Sequence, residues 1–298
     1  MPDLTLKRCN PQSAMLKRRD FLKIITAAVI GEGILGSSWA ADFTLPNPLP
    51  TSHHDSHVKD YLFKMRNYNA HHSHDILLEA RDLGLLKSTV RRLRRLEAVV
   101  GHGNFYLLNF DGALKNARYY SEVGGFTKDE IAFLERLYYQ DASCYGFRGP
   151  KPLQHLTDRI DRTKAVRIPH TGNYVYQGAS LETFTRIRKD IGEQVILTSG
   201  LRSIPKQFLL FLNKAYQNHG NLSLASRSLA PPGYSFHGIG DFDVGSVKLG
   251  SDNFTLRFTE TDVFRQLQDL GYIELRYCED NQLGVRYEPW HIKVQALS

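Results

Sequence analysis

Two patterns of apolar and polar positions divide the chain. Residues 58–140 carry apolar positions at helical spacing, densest at Leu77, Leu78, Ala80, Leu83, Leu85 and Leu86. The clearest start signal is Thr127-Lys128-Asp129-Glu130. Thr127 can cap a helix while Glu130 reaches back to the cap, and Phe126 and Ile131 stand at the staple positions. Ile131, Leu134 and Tyr138 then follow at helical intervals. From about residue 150 the periods mix. Ser180 opens a helix with Phe184, Ile187 and Ile191 on one face, and Gly192 stops it. Residues 194–198 (QVILT) read as a short β-branched strand, and Pro205 to His219 as a helix closed by Gly220. Residues 221–233 read as a polar loop, and Phe242 and Val244 as part of a strand. Thr261 starts a helix that ends at Gly271, and Tyr272–Tyr277 and Gly284–Tyr287 read as a hairpin. Helices followed by mixed helices and strands predict an α+β fold, with a small antiparallel sheet in a domain spanning 151–298 and a helical region over 58–150.

The N-terminal 57 residues stand apart. Lys17-Arg18-Arg19-Asp20-Phe21-Leu22-Lys23 precedes an apolar stretch from Ile24 to Leu35 and then Ser38-Trp39-Ala40. A charged region, a short apolar region and small residues at a cleavage site predict a secretory signal over residues 1–40. The paired arginines resemble the twin-arginine export signal, which predicts a periplasmic protein. An apolar run of about 12 residues interrupted by Glu32 is too short for a membrane span, which needs about 20. Residues 41–57, with three prolines, are expected to be a linker. Cys9 falls in the leader. Cys144 and Cys278 would meet an oxidising compartment, where they could pair.

Composition narrows the classes. Hydrophobic residues make up 42% of the 298 and charged residues 23%, ordinary globular values. The formal charge is +7, of which residues 1–40 carry +3. The surplus left on the body is small, and no nucleic-acid motif or long basic run accompanies it.

Three segments of the second half carry candidate chemistry: Ser199-Gly200-Leu201-Arg202-Ser203 with Gln207 downstream, Ser235-Phe236-His237-Gly238-Ile239-Gly240-Asp241-Phe242-Asp243, and Glu288-Pro289-Trp290-His291. Two histidines and a carboxylate can hold Zn²⁺ with a fourth position open to water. Such a metal lowers the pKa of its water to about 7. A second carboxylate can take that water's proton and pass it to a leaving amine, and an arginine can hold the developing oxyanion. His237, His291, one of Asp241 and Asp243, Glu288 and Arg202 fill these roles. In a straight strand, residues 237 and 243 would lie about 20 Å apart, so the chain must bend between them, and Gly238 and Gly240 make a bend cheap. Glu288 and His291 would face opposite sides of a regular strand, so the strand must break, as Pro289 favours.

These segments resemble the zinc D-alanyl-D-alanine carboxypeptidases of the VanY type, whose site layout is shared by the VanX dipeptidases. The family shows Ser-Gly-Tyr-Arg-Ser with a Gln downstream, Ser-x-His-x-x-Gly leading to an Asp, and a C-terminal Glu-Pro-Trp-His. The likeness covers roughly residues 194–298. It implies Zn²⁺ held by His237, Asp243 and His291, with Glu288 as general base and Arg202 polarising the scissile carbonyl. It also implies that Gln207 and Ser235 shape the substrate pocket. The substrate implied is a peptidoglycan stem peptide that loses its terminal D-alanine; an L,D-carboxypeptidase or a stem-peptide endopeptidase would use the same metal residues. Two positions depart from the family. Leu201 replaces the usual Tyr, which would alter the pocket wall. The Asp is expected where Val244 stands, so Asp243 is one residue early and Asp241 is the alternative ligand. That shortened spacing also leaves open a wall-binding module without catalysis.

Other polar clusters have plainer readings. His53, His54 and His57 sit in the linker. His71, His72 and His74 precede a helix that Ser73 or Asp75 can cap. Arg91, Arg92, Arg94 and Arg95 read as a solvated helix face, and Tyr119, Tyr120, Tyr138 and Tyr139 as core or groove lining.

Overall fold

Helix α1 (Ala80–Val100) buries Leu86, Val90, Leu93 and Leu96, positions three or four apart that share one face. This is a computed structural model, and it describes residues 60–294; the export signal, the linker, Cys9 and the histidines at 53, 54 and 57 lie outside the described residues. A short helix, α2 (His102–Tyr106), then α3 (Phe110–Tyr119) and α4 (Lys128–Tyr139) complete the helical region. The cap expected at Thr127 forms in both directions. Thr127 Oγ1 accepts from Glu130 N–H at 3.1 Å, and Glu130 Oε2 accepts from Thr127 N–H at 2.9 Å. The stripe that α4 buries runs through Phe133, Leu134, Leu137 and Tyr138, and Ile131 lies at its margin. Arg92 departs from its solvated reading. It is held against Glu130 at 2.9 Å and donates to the carbonyls of Val123 and Gly124, so it ties α1 to the turn that enters α4.

The second half holds two small antiparallel sheets. Strands β1 (Ala165–Arg167) and β2 (Tyr174–Tyr176) pair as a ribbon. Strand β3 (Val195–Ser199) follows α5 (Ala179–Ile191) and pairs with β4 (Phe242–Ser246), which pairs in turn with β5 (His291–Ile292). Between β3 and β4 lie α6 (Ile204–Gln217) and α7 (Leu222–Ser228), and α8 (Asp262–Asp269) precedes the final strand. The sheet carries its own core: Phe184 and Ile187 from α5, Val195 and Leu197 from β3, Phe242 and Val244 from β4, with Leu267 and Trp290.

The change of pattern near residue 150 is not a change of packing. Leu86 and Val90 of α1 and Phe133 of α4 share one core with Phe208, Phe211 and Leu212 of α6. The described residues fall in one compact unit. Among them, no helix is long and apolar enough to cross a membrane. Cys144 and Cys278 are both thiols rather than partners in a disulfide.

Two local readings are corrected. Residues 222–228 are helical rather than a polar loop. Asn221 Oδ1 caps the turn by accepting from Leu224 N–H at 2.7 Å, and Leu222, Leu224 and Ala225 are buried. The hairpin expected over 272–287 does not form. Its backbone groups go to other segments: Arg286 N–H donates to Arg227 O, and Leu283 O accepts from Arg148 N–H.

The histidine-rich turn before α1 is built around an ion pair. Asp75 accepts from Arg227 at 2.6 Å and from Asn221 at 2.7 Å, and its carboxylate is only 4% exposed. Burial opposes ionisation, but the bonds from Arg227, Asn221 and the His72 backbone prevail and hold its pKa at about 2. The folded value lies below the unfolded one, so this contribution is whole above about pH 4 and is lost as pH falls toward 2. It amounts to about 2 kcal/mol. Asp75→Asn is therefore expected to flatten the acid limb of a urea-denaturation pH series between pH 4 and 2. An unchanged limb would show that the pair contributes nothing.

Candidate metal centre and active site

The first segment leaves β3 through Ser199 and enters α6 through Ser203, which caps that helix. Leu201, Arg202 and Ser203 are each fixed by a backbone hydrogen bond. Leu201 N–H donates to Tyr174 O at 2.7 Å, Arg202 N–H to His237 O at 3.1 Å, and Ser203 N–H to Tyr106 O at 2.9 Å. A Cβ on Gly200 would stand 1.9 Å from Tyr174 O, so no larger residue fits there. The helical region takes part directly. Besides Tyr106, Phe105 O accepts from Ser203 Oγ, and Glu97 of α1 holds the buried Lys206 at 2.7 Å. Leu201 is 1% exposed and packs with Leu107 and Ile160. It faces a core, not the cavity, so its substitution for Tyr does not reshape the pocket wall.

The second segment bends as the glycines allow. Residues 236–238 form a 3₁₀ turn, and Gly240 adopts φ 129°, a conformation that favours glycine. Gly240 and Asp241 N–H both donate to Phe236 O. Ser180 Oγ donates to Gly240 O at 2.8 Å, which pins the bend to α5. The chain then enters β4, where Asp243 pairs with His291 of β5. Direct cross-strand partners share a face, so the two side chains meet. In the third segment, His291 N–H donates to Glu288 O, closing a turn over Pro289 and Trp290 before β5 begins.

These paths bring His237, Asp243 and His291 together. One ligand atom from each lies within 4.8 Å of the others, and all three residues are buried. His237 Nε2 is 3.2 Å from Asp243 Oδ1, and His291 Nδ1 is 3.1 Å from the same oxygen. The opposite ring nitrogens are committed elsewhere. His237 Nδ1 donates to Gly200 O at 2.7 Å, and His291 Nε2 donates to Asp241 Oδ2 at 2.9 Å. Both rings therefore turn the other nitrogen toward Asp243. Asp241 lies across the His291 ring from this convergence, which separates the two candidate carboxylates.

The electrostatics set the two histidines apart. Burial and the adjacent Arg202 lower the pKa of His237, which favours the neutral ring that a metal needs. Burial alone would lower His291 as well, but hydrogen bonds to Asp241 and Asp243 raise it to about 9. Burial opposes the charge on Asp243, yet His237 and Arg202 hold its carboxyl well below the ordinary range. Glu288 is pushed upward, mainly by burial.

Arg202, Gln207, Ser235, His237, Glu288 and His291 line one cavity of about 20 Å³, room for a water molecule. Arg202 also donates to Ser199 Oγ at 2.8 Å and to Asp243 Oδ2 at 2.6 Å, so it steadies the carboxylate as well as facing the cavity. Gln207 bonds backbone at both ends of its amide, donating to Arg202 O and accepting from Gly233 N–H. Ser235 lines the same cavity. Tyr277 closes one side, its ring edge-on to His291 at 5.2 Å. Tyr277 and Arg276, which holds Asp241 at 2.7 Å, were not among the residues singled out from the sequence. Neither lies near the three segments in the chain.

Residues 176–296 match the family model of VanY, D-alanyl-D-alanine carboxypeptidase. A search of curated proteins found no match. Among solved structures, the LdcB LD-carboxypeptidase is similar at 26% identity, over 41% of this chain and 59% of that chain, with a TM-score of 0.35. A variant of the vancomycin-resistance D,D-pentapeptidase VanY in complex with Zn(II) is similar at 25% identity, over 44% of this chain and 77% of that one, with a TM-score of 0.35. The chain thus spans about three fifths of the LdcB structure.

Proposed function

We propose that this chain is an exported zinc metallopeptidase, periplasmic by the twin-arginine route, that releases the terminal D-alanine of peptidoglycan stem peptides. The observation that carries the reading is the convergence of His237, Asp243 and His291 within 4.8 Å, beside Glu288 and Arg202 on one cavity of the region that matches the VanY family model. The donor set fits the ion: two imidazoles and one carboxylate, all buried, with a water-sized space beside them. Zinc, when bound there, supplies a Lewis acid that makes water nucleophilic near neutral pH.

The chain's own residues carry the protons and orient the groups. The Glu288 carboxylate takes a proton from the attacking water as its oxygen bonds to the carbonyl carbon. Burial raises the proton affinity of Glu288, which suits it to hold that proton and then give it to the leaving amine as the C–N bond breaks. Arg202 directs N–H donors at the carbonyl oxygen as charge develops on it. Gln207 and Ser235 shape the wall that seats the peptide.

Metal analysis of the purified protein is expected to give one zinc per chain. Dialysis against a chelator is expected to abolish peptide cleavage, and added Zn²⁺ to restore it. A correctly folded protein that takes up no zinc would instead favour a wall-binding module.

A further inference from the structure

Asp241 is two residues from Asp243, so along extended chain both carboxylates project from one face and bracket His291. Each takes one side of the ring: Asp243 Oδ1 lies 3.1 Å from Nδ1, and Asp241 Oδ2 lies 2.9 Å from Nε2. Asp241 is itself held rigidly. Arg276 Nε donates to its Oδ2 at 2.7 Å, and Val294 N–H, just beyond β5, donates to its Oδ1 at 3.0 Å. The residue is 2% exposed, so solvent does not compete for these bonds. Arg276 in turn lies 3.4 Å over the ring of Phe236, the neighbour of His237. One arginine therefore connects the carboxylate behind one histidine to the turn that carries the other.

We infer that Asp241 is a positioning residue, braced by Arg276, that fixes His291 with its proton on Nε2 and its Nδ1 lone pair turned to the metal. The inference rests on the zinc reading above. An imidazole binds a metal through one nitrogen, and an acceptor on the other sets the tautomer, the ring angle and the donor strength. Gly200 O plays the same part for His237, but as a neutral carbonyl. Asp241 is thus the one charged acceptor directly behind a histidine of this trio among the described residues. It acts through His291 and touches neither metal nor substrate.

The test compares wild type with Asp241→Ala, Asp241→Asn and Arg276→Met. The zinc dissociation constant is measured by competition with a chromophoric chelator, and the ring tautomer of His291 by ¹⁵N chemical shifts of the loaded protein. Asp241→Ala is expected to weaken zinc binding about 10- to 100-fold. Asp241→Asn, which keeps an acceptor, should recover much of that loss, and Arg276→Met should weaken binding by a smaller factor. The Nε2-protonated signature should be present in wild type and lost in Asp241→Ala. Thermal melts of the metal-free proteins establish that each is folded; where Asp241→Ala is not, Arg276→Met and Asp241→Asn decide. Zinc affinity within twofold of wild type in the folded variants overturns the inference and leaves the zinc reading standing. Loss of all zinc in Asp241→Ala with retention in Asp243→Ala overturns it too, because Asp241 would then be a ligand. A wild type that binds no zinc overturns both.

Discussion

Glu288→Gln is expected to lower kcat by about 10²- to 10⁴-fold, the usual contribution of a general base, while one zinc per chain stays bound. The substitution keeps size and removes the group that accepts the proton of the attacking water. Glu288 lines the cavity beside His291, but it is not among the three residues whose ligand atoms converge. Its loss should therefore spare the metal. Among the described residues no basic side chain is bonded to its carboxylate, unlike that of Asp243, which is tied to Arg202 at 2.6 Å. The two carboxylates are thus set to different tasks by their surroundings: Asp243 is held ionised, and burial raises Glu288 toward proton uptake. Steady-state kinetics and metal content measured on one preparation give the answer. Retained activity would remove Glu288 from the base role, and lost zinc would make it a ligand.

Asp243→Ala is expected to abolish zinc binding and to destabilise the fold by about 3–5 kcal/mol, the cost of leaving a buried ionic partner unpaired. The carboxylate serves three groups at once: His237, His291 and Arg202. Its removal strands the Arg202 guanidinium, which is 15% exposed. It also removes the one oxygen on which both histidines converge. Metal analysis and urea denaturation of the metal-free protein read the two effects separately. Zinc retained at wild-type affinity would exclude Asp243 from the ligand set.

How much of this was legible in the chain depends on how local the cause is. The start of α4 was legible because the Thr127–Glu130 cap needs only residues three apart. The limits of α5 were legible because Gly192 takes a positive φ that few other residues accept. Helix α7 was missed because Asn221 and its serines resemble a loop. What settles the helix comes from 146 or more positions away: Asn221 bonds Asp75, and Ser223 accepts from Ile76 N–H. The hairpin over 272–287 failed for the opposite reason. Its aromatic and β-branched residues suit a strand, but its backbone is taken up by residues 148 and 227.

The site divides the same way. A bend between His237 and Asp243, and a break between Glu288 and His291, were required by distance and permitted by Gly238, Gly240 and Pro289. The structure has a turn at each place. The part played by Asp241 could not be separated from that of Asp243 by spacing. It depends on which side of the His291 ring each carboxylate occupies, and that is set by the pairing of β4 with β5. Leu201 was misplaced because its neighbours Leu107 and Ile160 come from distant segments. The helical region also proved closer to the chemistry than its composition implied, since Glu97, Phe105 and Tyr106 brace the segment that carries Arg202.

The most direct test of the central claim is mass spectrometry of pentapeptide muropeptides incubated with the zinc-loaded protein. Loss of one alanine residue from the pentapeptide is expected, with Glu288→Gln inactive in the same assay. Alanine removed only from tetrapeptides, or a cut within the stem, would keep the metal centre and contradict the D,D assignment. Intact muropeptides after incubation with zinc-bound protein would contradict the peptidoglycan carboxypeptidase reading itself.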